Sequence, residues 1–208
     1  MSLRNSTTLL ILALVYAVLH KVVYGLLPSA GHSTAGKGVA AVLGTLSVAA
    51  LVLFAYRFSV EVAPPARWLG HSLGAVVLLT VAVTVARLPV PEGSGMWAQR
   101  RLAFDLLRLL NALAIVGFLV SFVRVLGRGS PLSKSLRWSA WAWGASAALD
   151  VVGLVYFVTF MLTGRQLGTG PWWRPIAFVV FLSAYATTTW FLVRFRGLAD
   201  YGRLAREP

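Results

Sequence analysis

Seven polar residues stand inside otherwise apolar stretches of this chain: His20, Lys21, His71, Asp105, Arg108, Asn111 and Asp150. Their chemistry would be that of carriage. Asp150 can change its charge, Lys21 and Arg108 supply positive charge, and Asn111 can both donate and accept hydrogen bonds. A charge at the centre of a bilayer costs roughly 2.5–3.5 kcal/mol on insertion scales, so residues that persist there are candidates for function. The expected substrate site is Lys21, Arg108, Asn111 and Asp150, with His20, Asp105 and Tyr156 as a supporting polar network and milder polarity from Tyr185 and Thr187–Thr189.

The formal charges of this set cancel, Lys21 and Arg108 against Asp105 and Asp150. Asp105 and Arg108 are three residues apart and share a helix face, which predicts an internal pair. Lys21 is then left to face Asp150 across the bundle. The structural alternative is a neutral network that fixes which helices are neighbours.

Six long apolar stretches must position these groups. They are read at about 8–27, 38–58, 68–88, 102–124, 138–163 and 174–195, each near the roughly 20 residues that cross a bilayer as a helix. Val39–Tyr56 and Ile176–Val193 are apolar all the way round, unlike the one-sided helices of a soluble bundle. The whole chain is 58% hydrophobic and 12% charged, with mean hydropathy +0.77, against about 25% charged residues in soluble domains. β-Barrel strands are alternating segments of about ten residues, half the length of these runs. The expectation is an all-α membrane protein of six transmembrane helices forming a single domain over 1–208. Its place is a multi-pass membrane, the plasma or inner membrane in a bacterium.

At 1.5 Å per residue, Asp150 lies about 18 Å into its span and Asn111 about 15 Å into its own, both close to the midplane. His20 lies in the outer half of the first span and His71 within a turn of the opposite end of the third. The two histidines are therefore at unmatched depths for one haem, and a zinc site would want three or four clustered ligands. No cofactor or metal is expected. Without cysteine there is no thiolate chemistry. The GxSxG and HExxH patterns are absent, and the neighbours His71 and Ser72 point in different directions on a helix, so no catalytic residue is proposed.

The net charge of +13 comes from basic residues at the span ends. Loops on the side of the termini hold eleven, Arg4, Arg57, Arg67, Arg124, Arg128, Lys134, Arg137, Arg194, Arg196, Arg203 and Arg206. The opposite loops hold six, Lys37, Arg87, Arg100, Arg101, Arg165 and Arg174. That bias predicts cytoplasmic N and C termini. It also makes anionic lipid headgroups the expected partner, at about 1 kcal/mol per basic residue near the surface, with no need of nucleic acid.

Trp97, Trp172 and Trp173 on one face and Trp68, Trp138 and Trp190 on the other read as interfacial anchors. Leu9–Leu19 after Arg4 could pass for a signal-peptide core, but apolar character resumes after Lys21, and an uncleaved first helix is expected. Pro64–Pro65 should stiffen its loop and end a helix, the loop 28–38 should be flexible and exposed, and 88–101 is the longest external segment. Gly70 with Gly74, and Ala140 with Gly144 and Ala148, are small-residue stripes for close helix packing. They suit this bundle's own contacts or, alternatively, a homodimer or a membrane-complex partner.

The function these features favour is a small transporter or permease moving a proton or small polar solute. An accessory or assembly subunit of a larger membrane complex is the second class. The third is a membrane-embedded lipid-modifying enzyme that gathers headgroups with Arg100, Arg101, Trp172 and Trp173.

Overall fold

The computed structural model describes residues 2–26, 34–62, 67–86, 97–127, 130–164 and 173–199. Pro64 and Pro65, Trp172, His32, residues 28–33, 88–96 and 165–172, and the basic residues Arg87, Arg128, Arg165, Arg203 and Arg206 lie outside them. Among the described residues there are six helices and no strands. They are α1 (Leu3–Leu26), α2 (Thr34–Glu61), α3 (Arg67–Ala86), α4 (Trp97–Leu126), α5 (Ser133–Thr163) and α6 (Trp173–Ala199). All six are long and apolar enough to cross a membrane. The chain is thus a polytopic, all-helical bundle.

Most helices outrun the apolar stretches read from the sequence. The first begins at Leu3 rather than about residue 8, because Ser6, Thr7 and Thr8 do not break it. Their hydroxyls donate to the carbonyls of Leu3, Leu3 and Arg4, at 2.8, 2.8 and 2.9 Å. α5 likewise starts at Ser133, and Lys134 and Arg137 ride on its first turns. Lys and Arg are good helix formers, so a helix continues past the end of its apolar stretch. Two ends are set by glycine in the left-handed region. Gly127 (φ 74°) donates its N–H to the Val123 carbonyl at 3.1 Å, and Gly164 (φ 67°) donates to that of Phe160 at 2.8 Å.

The helices form a closed ring in chain order. Each packs against its sequence neighbours, and α1 closes the ring against α6. This up-down order puts the start of α1 and the end of α6 at one end of the bundle, where Leu3 and Phe195 belong to the same core. We call this the terminal end.

Packing is uneven along the bundle axis. The core is built from the terminal-end halves of the helices: Leu3 and Leu10, Phe54 and Phe58, Leu69 and Leu73, Phe118 and Phe122, Leu132 and Leu136, Phe191 and Phe195. The phenylalanines come in three pairs spaced by four residues, one pair each on α2, α4 and α6. Because these helices alternate around the ring, their rings meet on its axis. Phe58 lies 5.2 Å from Phe122 and 6.0 Å from Phe195, and Phe122 lies 6.0 Å from Phe191. Several contacts are edge-to-face, the arrangement the ring quadrupole favours. Toward the other end, the buried hydrophobic side chains among the described residues thin out to Val83, Ala112, Ala147 and Ala184. Lys21, Asp105, Arg108 and Asp150 lie in this less filled half, whereas His71 stands at the terminal end beside Leu69 and Leu73.

Candidate functional site

The site is built from α4 and α5. Arg108 is four residues before buried Ala112, and Asp150 is three after buried Ala147, so both continue the inward stripe of their helices. Their side chains meet between the helices. Arg108 Nη2 donates to Asp150 Oδ1 at 2.7 Å, with the Arg108 side chain 39% exposed and that of Asp150 13%. The short distance is that of a charge-assisted bond. The Arg108 guanidinium also sits 5.8 Å from the centre of the Phe104 ring, one turn away.

One turn deeper on α4, Asn111 Oδ1 accepts a hydrogen bond from Thr80 of α3 at 3.1 Å, and the same hydroxyl lies 2.8 Å from the Val76 carbonyl. Thr80, Asn111, Arg108 and Asp150 therefore form one polar band linking α3, α4 and α5. A fixed cation, a titratable carboxylate and an amide lie within about two helical turns of each other. Such a band can bind a small polar solute, or exchange a proton at Asp150 while Arg108 holds the counter-charge.

The pairing expected from charge balance is different in the structure. Asp105 bonds to Arg101, Nε to Oδ2 at 2.9 Å, not to Arg108. An i,i+4 partner lies as close on a helix surface as an i,i+3 one, and Arg108 is drawn across the interface to Asp150. Lys21 does not take Asp150 either. Its ammonium stands 5.9 Å from the centre of the Phe181 ring, a cation–π contact between α1 and α6. The reason is topological: α1 packs on α2 and α6, so the first, fourth and fifth helices do not share one interface.

Of the expected set, Arg108, Asn111 and Asp150 are brought together. His20 lies on α1 beside Tyr16, ring centres 6.2 Å apart, and Tyr156 packs on Trp173 at 6.3 Å. His71 is exposed. Among the described residues no three His, Asp or Glu side chains converge as metal ligands would.

A second polar cluster joins α5 to α6. The Thr188 hydroxyl oxygen accepts the Trp143 indole N–H at 2.9 Å, lies 2.7 Å from the Ser139 hydroxyl, and is 2.8 Å from the Ala184 carbonyl. Ser139 is fully buried. The Thr187–Thr189 run pointed to this place, but Ser139 and Trp143 carry no sequence signal of their own. Interhelical hydrogen bonds in membranes average about 0.6 kcal/mol and reach about 1.7. Thr188→Val deprives two partners at once and is expected near the upper figure. A double-mutant cycle with Trp143→Phe, followed by denaturant unfolding in mixed micelles, should return a positive coupling. Additive losses would mean that the two side chains do not interact.

No known protein family, no characterised protein and no solved structure matches this chain.

Proposed function

We propose that the protein is a small transporter that moves a proton or small polar solute across the membrane through the Arg108–Asp150 band, with both termini in the cytoplasm. One observation carries this reading. An ion pair joins two spans at mid-depth, in the less filled half of the bundle, and its cation is 39% exposed. A pair serving only to staple helices would be expected within the packed half, where both groups could be shielded. Ionisable groups inside spans almost always face the bundle interior or a water-filled cavity, and they mark ion and proton pathways.

In this mechanism the solute or proton enters from the end away from the termini. Proton uptake by Asp150 neutralises the carboxylate and loosens its bond to Arg108, and Asn111 offers the next polar contact inward. The six phenylalanines below would act as the closed side of the pathway, a hydrophobic constriction that excludes water until the helices part. Orientation follows from the basic residues at the terminal end, Arg4, Arg57, Arg67, Arg124, Lys134, Arg137, Arg194 and Arg196. Lys21 is left out of the site because its cation is on α1 against Phe181.

The test is flux in proteoliposomes loaded with a pH-sensitive dye and given an imposed pH gradient, with and without a panel of small polar solutes. Wild-type protein should dissipate the gradient, alone or with one solute class. Asp150→Asn should slow this by about a hundredfold or more, the lower end of what a positioned proton-transferring group contributes, while helix content is kept. Flux that is unchanged in Asp150→Asn, or absent from wild type under every solute, would overturn the proposal.

A further inference from the structure

The outer side of the α4–α5 pair carries a groove of about 650 Å3 that the transport reading does not use. It runs between the end of α4 and the start of α5 and is lined by Val116, Val120, Arg124, Arg137, Trp141 and Gly144, among others. Exposure places it on the surface of the bundle. Val120 and Trp141 are exposed, Trp141 by 76%, whereas Leu119, Phe122 and Leu136 beneath them are buried. Its size falls in the range of about 300–1,000 Å3 typical of ligand clefts.

Chemistry is divided along its length. At the terminal end stand two guanidiniums, Arg124 in the last turn of α4 and Arg137 near the start of α5. Arg137 is already oriented, since its Nε and one Nη donate to the Ser133 carbonyl and hydroxyl, both at 3.2 Å. That uses two of the five N–H donors a guanidinium carries and leaves the others for a ligand. Among the described residues no carboxylate lines the groove. Deeper along the axis the walls are valine, alanine and glycine, and a Cβ added at Gly144 would meet nothing within 4 Å. Trp141, one turn from Arg137, brings an indole, a group suited to bridge acyl chain and headgroup.

We infer that this groove is a binding site for one anionic phospholipid of the leaflet at the terminal end. Its phosphate sits between Arg124 and Arg137, and one acyl chain lies along Val120, Val116 and Gly144. Guanidinium forks match phosphate oxygens in pairs, and two such cations favour a headgroup whose phosphate charge is not cancelled by a choline ammonium, which supplies the headgroup preference. A second copy of this chain fits worse. A two-fold interface sets each patch against itself, so Arg124 and Arg137 would meet their own counterparts with no acid between them.

Native mass spectrometry of the purified protein tests this, with phosphatidylglycerol and phosphatidylcholine of equal chain length added in competition. Wild type should retain one phosphatidylglycerol with a preference of roughly tenfold or more, as two basic contacts near an anionic headgroup imply. Arg124→Gln with Arg137→Gln should abolish the preference. Gly144→Leu should weaken retention of both lipids with both arginines intact. These variants alter different parts of the groove, so a folding failure in one leaves the other decisive. Arg57→Gln with Arg194→Gln, at the same end but outside the groove, should change nothing. An equal loss in that control would show diffuse surface charge and overturn the site. Lipid retention unaffected by Gly144→Leu, or a change in oligomer mass in its place, would overturn it too, the latter pointing to a second copy or a partner helix.

Discussion

Asp150→Leu is expected to destabilise the bundle by roughly 2–3 kcal/mol, while the double variant Arg108→Leu with Asp150→Leu returns to within about 1 kcal/mol of the parent. The asymmetry follows from what each variant leaves behind. Leucine at 150 deprives the Arg108 guanidinium of its 2.7 Å partner and strands a cation inside the spans. Breaking a fully buried pair in this way costs about 3–5 kcal/mol. The figure is reduced here because the Arg108 side chain is 39% exposed, so the pair is not fully buried. Removing both charges removes the stranded ion as well, and leucine packs well between helices. Asp150→Asn keeps an oxygen for Arg108 and should cost about 1 kcal/mol. Unfolding by denaturant in mixed micelles measures all three.

Combined with flux, the same variants separate a site from a staple. If Arg108 and Asp150 only hold α4 to α5, the double leucine variant is stable and keeps whatever activity the parent has. If they form the transport site, the double variant is stable and inactive. A double variant no more stable than Asp150→Leu alone would show that Arg108 is not the group left uncompensated, and the pairing would be wrong.

The span pattern was legible in composition because a helix satisfies its own backbone in lipid and stays apolar over its full length. A closed barrel, the other arrangement lipid allows, needs shorter alternating segments. Neighbour relations were not legible. Charge balance says that Lys21, Asp105, Arg108 and Asp150 sum to zero, but zero is the same total for every pairing. The sequence placed Asp105 within reach of both Arg101 and Arg108 along one helix, and nothing local ranks the two. Only the ring order, in which α4 lies against α5 while α1 lies against α2 and α6, hands Arg108 to Asp150 and Lys21 to Phe181. Asn111 was found by its depth, whereas its partner Thr80 was one threonine among several in apolar surroundings.

The phenylalanine core was written in the sequence in a form that polarity does not reveal. Phe54 and Phe58, Phe118 and Phe122, and Phe191 and Phe195 repeat one spacing near the same end of three alternate spans. An apolar residue within an apolar run offers no contrast, so a search for polar interruptions passes over it. The signal was spacing and depth together, read across helices instead of along one.

Phe58→Ala tests whether those six rings are the keystone of the bundle, and it should cost about 2–3 kcal/mol. Phe58 is fully buried and touches rings from both other alternate helices, Phe118 at 5.7 Å and Phe122 at 5.2 Å on α4 and Phe195 at 6.0 Å on α6. In a soluble core the same truncation costs about 3–5 kcal/mol, part of it for returning apolar surface to water. That part is absent in lipid, where a separated helix hides its ring among acyl chains. What remains is lost dispersion contact and ring geometry, about 0.5–1.5 kcal/mol for each good aromatic pair. Val60→Ala, at an exposed position on the same helix, is the control and should stay within about 0.5 kcal/mol. Equal losses at 58 and 60 would mean that the rings fill space without joining α2, α4 and α6. The transport proposal adds a second readout at the same position. If the rings close the pathway at the terminal end, the cavity left by Phe58→Ala admits water, and vesicles carrying it should leak protons even when Asp150 is replaced by asparagine. A tight Phe58→Ala protein would place the closure elsewhere and leave the rings a purely structural role.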